Sequence, residues 1–172
     1  MSVKSLVSLS GCFGSRRGVS LIELIVTMTI LAILASVIMP LTEMTARRSR
    51  ELELRRNLRV IRTAIDDFKK SYDKAVDDKK IIPSLNKSGY PESLQQLVDG
   101  HDFGGLYPVK KKFLRRIPVD PLNPVRSGEE PKWGLRSYAD KPDSNMWGGE
   151  DVYDVYSLNE GTAIDGSKYK EW

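Results

Sequence analysis

The most unusual side chain in this sequence is a carboxylate in an apolar setting. Residues 19–39 are almost wholly apolar, and Glu23 is the only ionisable residue among them. A carboxylate in an apolar helix is costly and calls for a partner. Two partners are open to it. At a helix start it can reach polar headgroups, where acid also suits the helix N-terminus. Otherwise it needs a nearby cation, such as a free α-amino group made by cutting the chain. The preceding residues favour a cut, because Ser15-Arg16-Arg17-Gly18 lies directly against the run. An ordinary secretory signal places a short apolar stretch before a small-residue cleavage site. Here the charges and the glycine come first.

Other chemistry is sparse. The only cysteine is Cys12 and the only histidine is His101. If the chain before residue 19 is removed, no thiol remains and no disulfide framework can form. One His without Cys excludes a zinc cluster and leaves little for nucleophilic catalysis. No paired carboxylates or phosphate loop stand in a recognisable arrangement, so no enzyme is expected. Leu9-Ser10-Gly11-Cys12 looks like a lipidation box, but the stretch before it is too short and polar for one. The formal charge is +4, yet Lys4, Arg16 and Arg17 precede residue 19 with no acid among them. Without those three, 24 basic residues face 23 acidic ones. The basic balance is therefore no argument for nucleic acid, which is not expected as a partner.

The elements that place these residues follow from periodicity. As a helix, residues 19–39 would reach roughly 32 Å, matching a bilayer core of about 30 Å. Thr27, Thr29 and Ser36 can bond back to their own helix. Beyond Pro40, Leu54, Leu58, Ile61, Ile65, Phe68 and Tyr72 recur at steps of four and three, one apolar stripe on a long helix. Glu43–Arg47, Glu51–Arg55 and Asp66–Lys70 are acid-before-base pairs four residues apart. The arginine-rich run 47–62 is either a solvated face or a surface pairing with acidic residues of another copy. DNA contact ranks behind both, because Glu43, Glu51 and Glu53 interrupt the basic stripe.

The arm is expected to end within 73–80. Gly89-Tyr90-Pro91-Glu92-Ser93-Leu94 opens a short helix with Leu94, Leu97 and Val98 as its apolar face, stopped at Gly100 or Gly104-Gly105. The proline-rich segment 117–124 reads as a loop crossing. Residues 135–139 and 152–157 read as strands of an antiparallel hairpin. Trp133 and Trp147 read as packing residues. The fold class is α+β: a long N-terminal helix, membrane-spanning then amphipathic, packed on a small head.

The N-terminal residues resemble the type IV pilins and the pseudopilins of type II secretion. Gly18 matches the residue before the family's cut, Val19 the first mature residue (usually Phe), Glu23 the glutamate at mature position five, and Pro40 a proline that kinks or locally melts the helix. The head is similar to the major, G-type pseudopilin. Gly89-Tyr90-Pro91, Leu94 with Leu97-Val98, Phe113-Leu114 with Pro118 and Asp120-Pro121, the run Tyr153 to Leu158, and Trp172 all match it. Leu122-Asn123-Pro124 departs from that pattern.

This resemblance implies four segments: a cleaved basic leader 1–18, a transmembrane polymerisation helix 19–39, a helical arm 40–78 and a head 79–172. It implies cleavage between Gly18 and Val19, N-methylation of Val19, and pairing of Glu23 with a neighbour's Val19 amine. Implied partners are further copies of the chain, other pseudopilins, a prepilin peptidase, and an inner-membrane platform with a cytoplasmic ATPase. Lys/Arg counting alone would put the head in the cytoplasm; the resemblance puts it in the periplasm, anchored in the bacterial inner membrane. Relatives hold calcium in a C-terminal loop. Here Ser157, the Leu158 carbonyl, Asn159, Glu160 and Asp165 could supply oxygens, though the usual paired aspartates are missing and calcium takes six to eight ligands. The function so implied is a structural subunit of a secretion pseudopilus. The alternatives are a subunit of a type IV pilus for motility, adhesion or DNA uptake, and a membrane-anchored binding protein that never polymerises.

Overall fold

A computed structural model describes residues 18–83, 88–125 and 128–172; within its long helix the side chains of 37–41 also lie outside the description. The leader before residue 18 is thus outside it. Helix α1 runs Leu21–Asp77, 57 residues, and its assignment is unbroken at position 40. It belongs to two compact units, residues 1–43 and 44–172, taken separately below.

In the first unit α1 starts as the sequence suggests. The Leu24 N–H donates to the Ser20 carbonyl at 3.1 Å. Thr27, Thr29 and Ser36 donate their hydroxyls to the carbonyls of Leu24, Ile25 and Ile33 at 2.9, 2.8 and 2.7 Å. That satisfies each hydroxyl without help from another element. The apolar side chains are bare: Leu21 is 76% exposed and Leu31 61%. Among the described residues, no helix is long and apolar enough to cross a membrane.

In the second unit the stripe is the spine of the core. Leu54, Leu58, Ile61, Ile65 and Phe68 are all at most 2% exposed, while Tyr72 is half-buried. Full burial of such side chains is worth about 1.5–3 kcal/mol each. They pack with Leu94, Leu97, Phe103, Leu114, Trp133, Val152, Val155 and Tyr169. The rings of Phe68 and Phe103 meet edge to face at 5.1 Å. α1 ends where Lys79 takes a left-handed conformation and the Lys80 N–H turns back to the Ala75 carbonyl at 2.8 Å.

α2 is Leu94–Asp99, opened by an extended Ser93 and closed by Gly100 at φ 86. It starts later than the sequence suggests, so Pro91 precedes the first turn instead of entering it. Leu97 anchors α2: its carbonyl accepts from Phe113 N at 2.9 Å and Leu114 N at 3.0 Å. The two strands are shorter than expected, β1 Gly134–Arg136 and β2 Asp154–Tyr156. They are antiparallel, with Leu135 opposite Val155. A terminal 3-10 turn covers Tyr169–Glu171. The observed fold is α+β, as the sequence implies.

Candidate functional site: N-terminal junction and C-terminal loop

Gly18 and Val19 lead into α1, and Glu23 stands in its first turn. Acid there faces the partial positive charge of the helix start. A methyl group added at Gly18 would touch nothing within 4 Å. The fold of the described residues therefore does not demand glycine at this position. Val19 is 70% exposed. Pro40 falls among the residues whose side chains are not described.

The C-terminal loop is built very differently from a metal cage. Ser157 is fully buried and donates its hydroxyl to Asp120 Oδ2 at 2.6 Å. Its oxygen accepts from the Asn159 N–H at 3.1 Å. Asn159 donates from Nδ2 to the Leu122 carbonyl at 2.7 Å, and its own side-chain oxygen accepts from Gly161 N at 2.8 Å. Asp165 Oδ2 accepts from Arg55 at 2.7 Å, while Oδ1 accepts from the Ser167 hydroxyl at 2.5 Å and N–H at 3.0 Å. The Ser167 bonds first, and then Arg55, hold this carboxyl below the usual aspartate range. Glu160 is exposed.

The expected calcium set does not fit. Ser157 and Asn159 spend their oxygens on the protein, and Asp165 already faces a guanidinium. Among the described residues no group of three or more His, Cys, Asp or Glu could hold a metal ion. The cation at Asp165 is Arg55, a point a calcium ion would have to contest.

Arginines tie the rest of this segment to α1. Arg47 donates to the Thr162 carbonyl and lies 3.5 Å from Glu51. Arg55 also stacks over Trp172, 4.0 Å from the ring centre. Arg62 bonds Asp154 at 2.6 Å, the Val155 carbonyl at 3.0 Å and the main-chain oxygen of Trp172 at 2.8 Å. So Arg47, Arg55 and Arg62, though part-exposed, bond the chain's own head. The expected Glu51–Arg55 and Asp66–Lys70 pairs are not formed. Arg55 turns to Asp165, and Lys70 pairs with Asp67 at 3.0 Å. A charged head that can bond backbone carbonyls and stack on indole gains more there than from a neighbour on its own helix.

Sequence reasoning gave Glu51 only local roles and missed its burial, at 7% exposed. It accepts from Ile164 N at 3.0 Å and the Tyr169 hydroxyl at 2.7 Å. Its register was the available signal, since three residues before Leu54 it continues the apolar stripe. His101 is a packing residue: its ring lies 4.8 Å from Phe103 and 5.4 Å from Phe68, with Nδ1 3.0 Å from Gln96 Nε2. Trp133 is buried, with Nε1 donating to the Pro118 carbonyl at 2.9 Å. Trp147 is 42% exposed, less a packing residue than expected.

The prokaryotic N-terminal methylation motif matches residues 14–39, the span that holds Gly18, Val19 and Glu23. The chain is type IV pilin-like at its N-terminus. A pilin-like motif of this kind implies processing by a prepilin peptidase and assembly of copies into a polymer. It points to a structural subunit, of a pilus or a pseudopilus, instead of an enzyme. No curated protein and no solved structure matches the chain.

Proposed function

We propose that the chain is a structural subunit of the type II secretion pseudopilus. The observation that carries the reading is the matched motif with its ionisable residue in place: Gly18-Val19 opening α1 and Glu23 in the first turn. Cleavage between Gly18 and Val19 creates a free amine, which N-methylation keeps basic. Glu23 of a neighbouring copy then neutralises that amine, removing two charges from an apolar environment at once. The bare apolar flank of 19–36 supports a helix that sits first in the inner membrane and then in a filament core.

On this reading the head stands in the periplasm. Other pseudopilins join the same filament, and an inner-membrane platform with a cytoplasmic ATPase drives it. The match of the head residues Tyr90-Pro91, Asp120-Pro121 and Tyr153 to Leu158 to the major pseudopilin pattern supports secretion over surface adhesion.

The test is deletion of the gene, comparing culture-supernatant proteins and surface pili. Loss of particular exported proteins with pili intact supports the pseudopilus. Loss of pili or motility with normal export would move the chain to the pilus class.

A further inference from the structure

α1 presents two different arginine sets. Arg47, Arg55 and Arg62 are consumed by the C-terminal segment, as described. Arg48, Arg56 and Arg59 are exposed and carry no ion pair with any described residue. With Leu52, 60% exposed, and Val60, 42% exposed, they recur at steps of three and four and so share one face. That face points away from the buried stripe. It mixes fixed positive charge with bare aliphatic surface.

The same unit carries a surface of complementary chemistry. Tyr90, Tyr138 and Tyr153 form a ring cluster, with centroids 5.8, 5.0 and 5.4 Å apart. Tyr138 is 64% exposed and Tyr153 45%. Exposed Glu150 lines a shallow pocket beside Tyr90. Behind it the buried Asp151 accepts from the Tyr138 N–H at 2.8 Å and from the Ser88 hydroxyl. The Tyr90 phenol is pushed up, first by burial, then by Tyr153 and Asp66, with Tyr138 and Asp73 adding to the effect. Among the described residues, the cation on the cluster is Lys69, 5.8 Å from the Tyr90 ring and bonded to Asp73. Tyrosine faces and carboxylates together favour guanidinium groups, which stack and donate at once. The chain already makes this contact internally, with Arg136 4.2 Å over the Tyr156 ring.

We propose that the tyrosine–carboxylate patch receives the Arg48–Leu52–Arg56–Arg59 face of α1 from a second copy of the chain. The inference rests on the filament reading above and names the surfaces through which heads meet. The two surfaces sit at different heights on α1, near residue 54 and near residue 70, about 24 Å apart at ~1.5 Å per residue. A contact between unlike surfaces is heterologous, and repetition without closure yields an open polymer instead of a dimer.

The test uses the full chain with Cys12→Ser, expressed with its assembly machinery. Two further chains carry Arg56→Cys or Tyr138→Cys and are expressed as minorities beside that parent, so assembly does not depend on them. Filaments of the parent are scored by electron microscopy, and disulfides are formed by mild oxidation. The expected result is a linked dimer when both variants are present, none from either alone, and none when Val109→Cys replaces Tyr138→Cys. Filaments without the Arg56/Tyr138 dimer, or with equal linking to position 109, overturn the contact alone. A parent that forms no filament overturns the filament reading and the contact with it.

Discussion

The Tyr169 hydroxyl donates to Glu51 Oε1 at 2.7 Å, joining residues 118 apart in sequence, both of them buried. The carboxylate is stranded in apolar surroundings unless its donors are present. Hydrogen bonds to charged groups are worth roughly 1.5–3 kcal/mol, and leaving a buried charge short of a donor costs a similar amount. Tyr169→Phe should therefore destabilise the head by about 2 kcal/mol in urea unfolding. Tyr138→Phe, at an exposed ring, should cost less than about 0.5 kcal/mol. Equal effects would mean that Glu51 is satisfied without Tyr169.

Acid should loosen the turns that two aspartates organise. Asp140 is held below the usual aspartate range by the backbone N–H groups of Ser137 and Gly148, and Asp165 by Ser167 and Arg55. A carboxyl depressed in the folded state contributes stability that is complete above its unfolded value and fades as pH falls through its folded value. The loss should begin below the ordinary aspartate value of 3.8. Asp140→Asn together with Asp165→Asn should flatten the acid limb of a stability-versus-pH curve. A double variant with an unchanged limb would rule these two groups out as its source.

The hairpin depends on one missing side chain. A methyl group at Gly134 would fall 2.2 Å from the Tyr156 ring, which lies across the strand from it. Overpacking of this kind costs about 1–3 kcal/mol. Gly134→Ala should lower stability by that amount, and pairing it with Tyr156→Leu should recover most of the loss. Absence of recovery would place the cost in the backbone.

The elements legible in the sequence are those carried by repetition over many residues. The stripe from Leu54 to Phe68 fixed which face of α1 is buried, because five apolar residues in register outweigh any local ambiguity. The strand pair was legible in outline, from alternation around Val155. What could not be read was the use of each arginine. Arg55 has Glu51 four residues before it, a good local partner by spacing alone. In the fold Glu51 is taken by Tyr169 and Ile164, and Asp165 arrives from 110 residues away to claim Arg55. Such choices depend on chain return, which no local pattern encodes. The same return gives the loop oxygens of Ser157, Asn159 and Asp165 protein partners that no local pattern announces.

Calcium is accordingly expected to leave the unfolding midpoint of the head unchanged, and so is a chelator. Arg55→Ala should lower stability, by roughly 0.2–1 kcal/mol for a half-exposed pair, with the effect shrinking in high salt. A calcium-dependent rise in midpoint, measured by thermal unfolding with and without chelator, would restore the metal reading.

Glu23→Gln keeps the size of the side chain and removes its charge. On the filament reading it should abolish polymer while leaving urea unfolding of the head unchanged, since Glu23 lies outside the unit 44–172. Filaments of normal yield, counted after shearing, would mean that charge neutralisation at the first turn does not set subunit register.

The long reach from Glu51 to Tyr169 also sets a schedule. A ribosome adding 5–20 residues per second needs about 6–24 s to pass from one to the other. Through that interval Leu54, Leu58, Ile61 and Ile65 lack the strand and turn that cover them, and the apolar run before them is bare as well. The emerging chain thus exposes its apolar stripe for seconds before the residues that cover it exist, an interval in which it is open to aggregation.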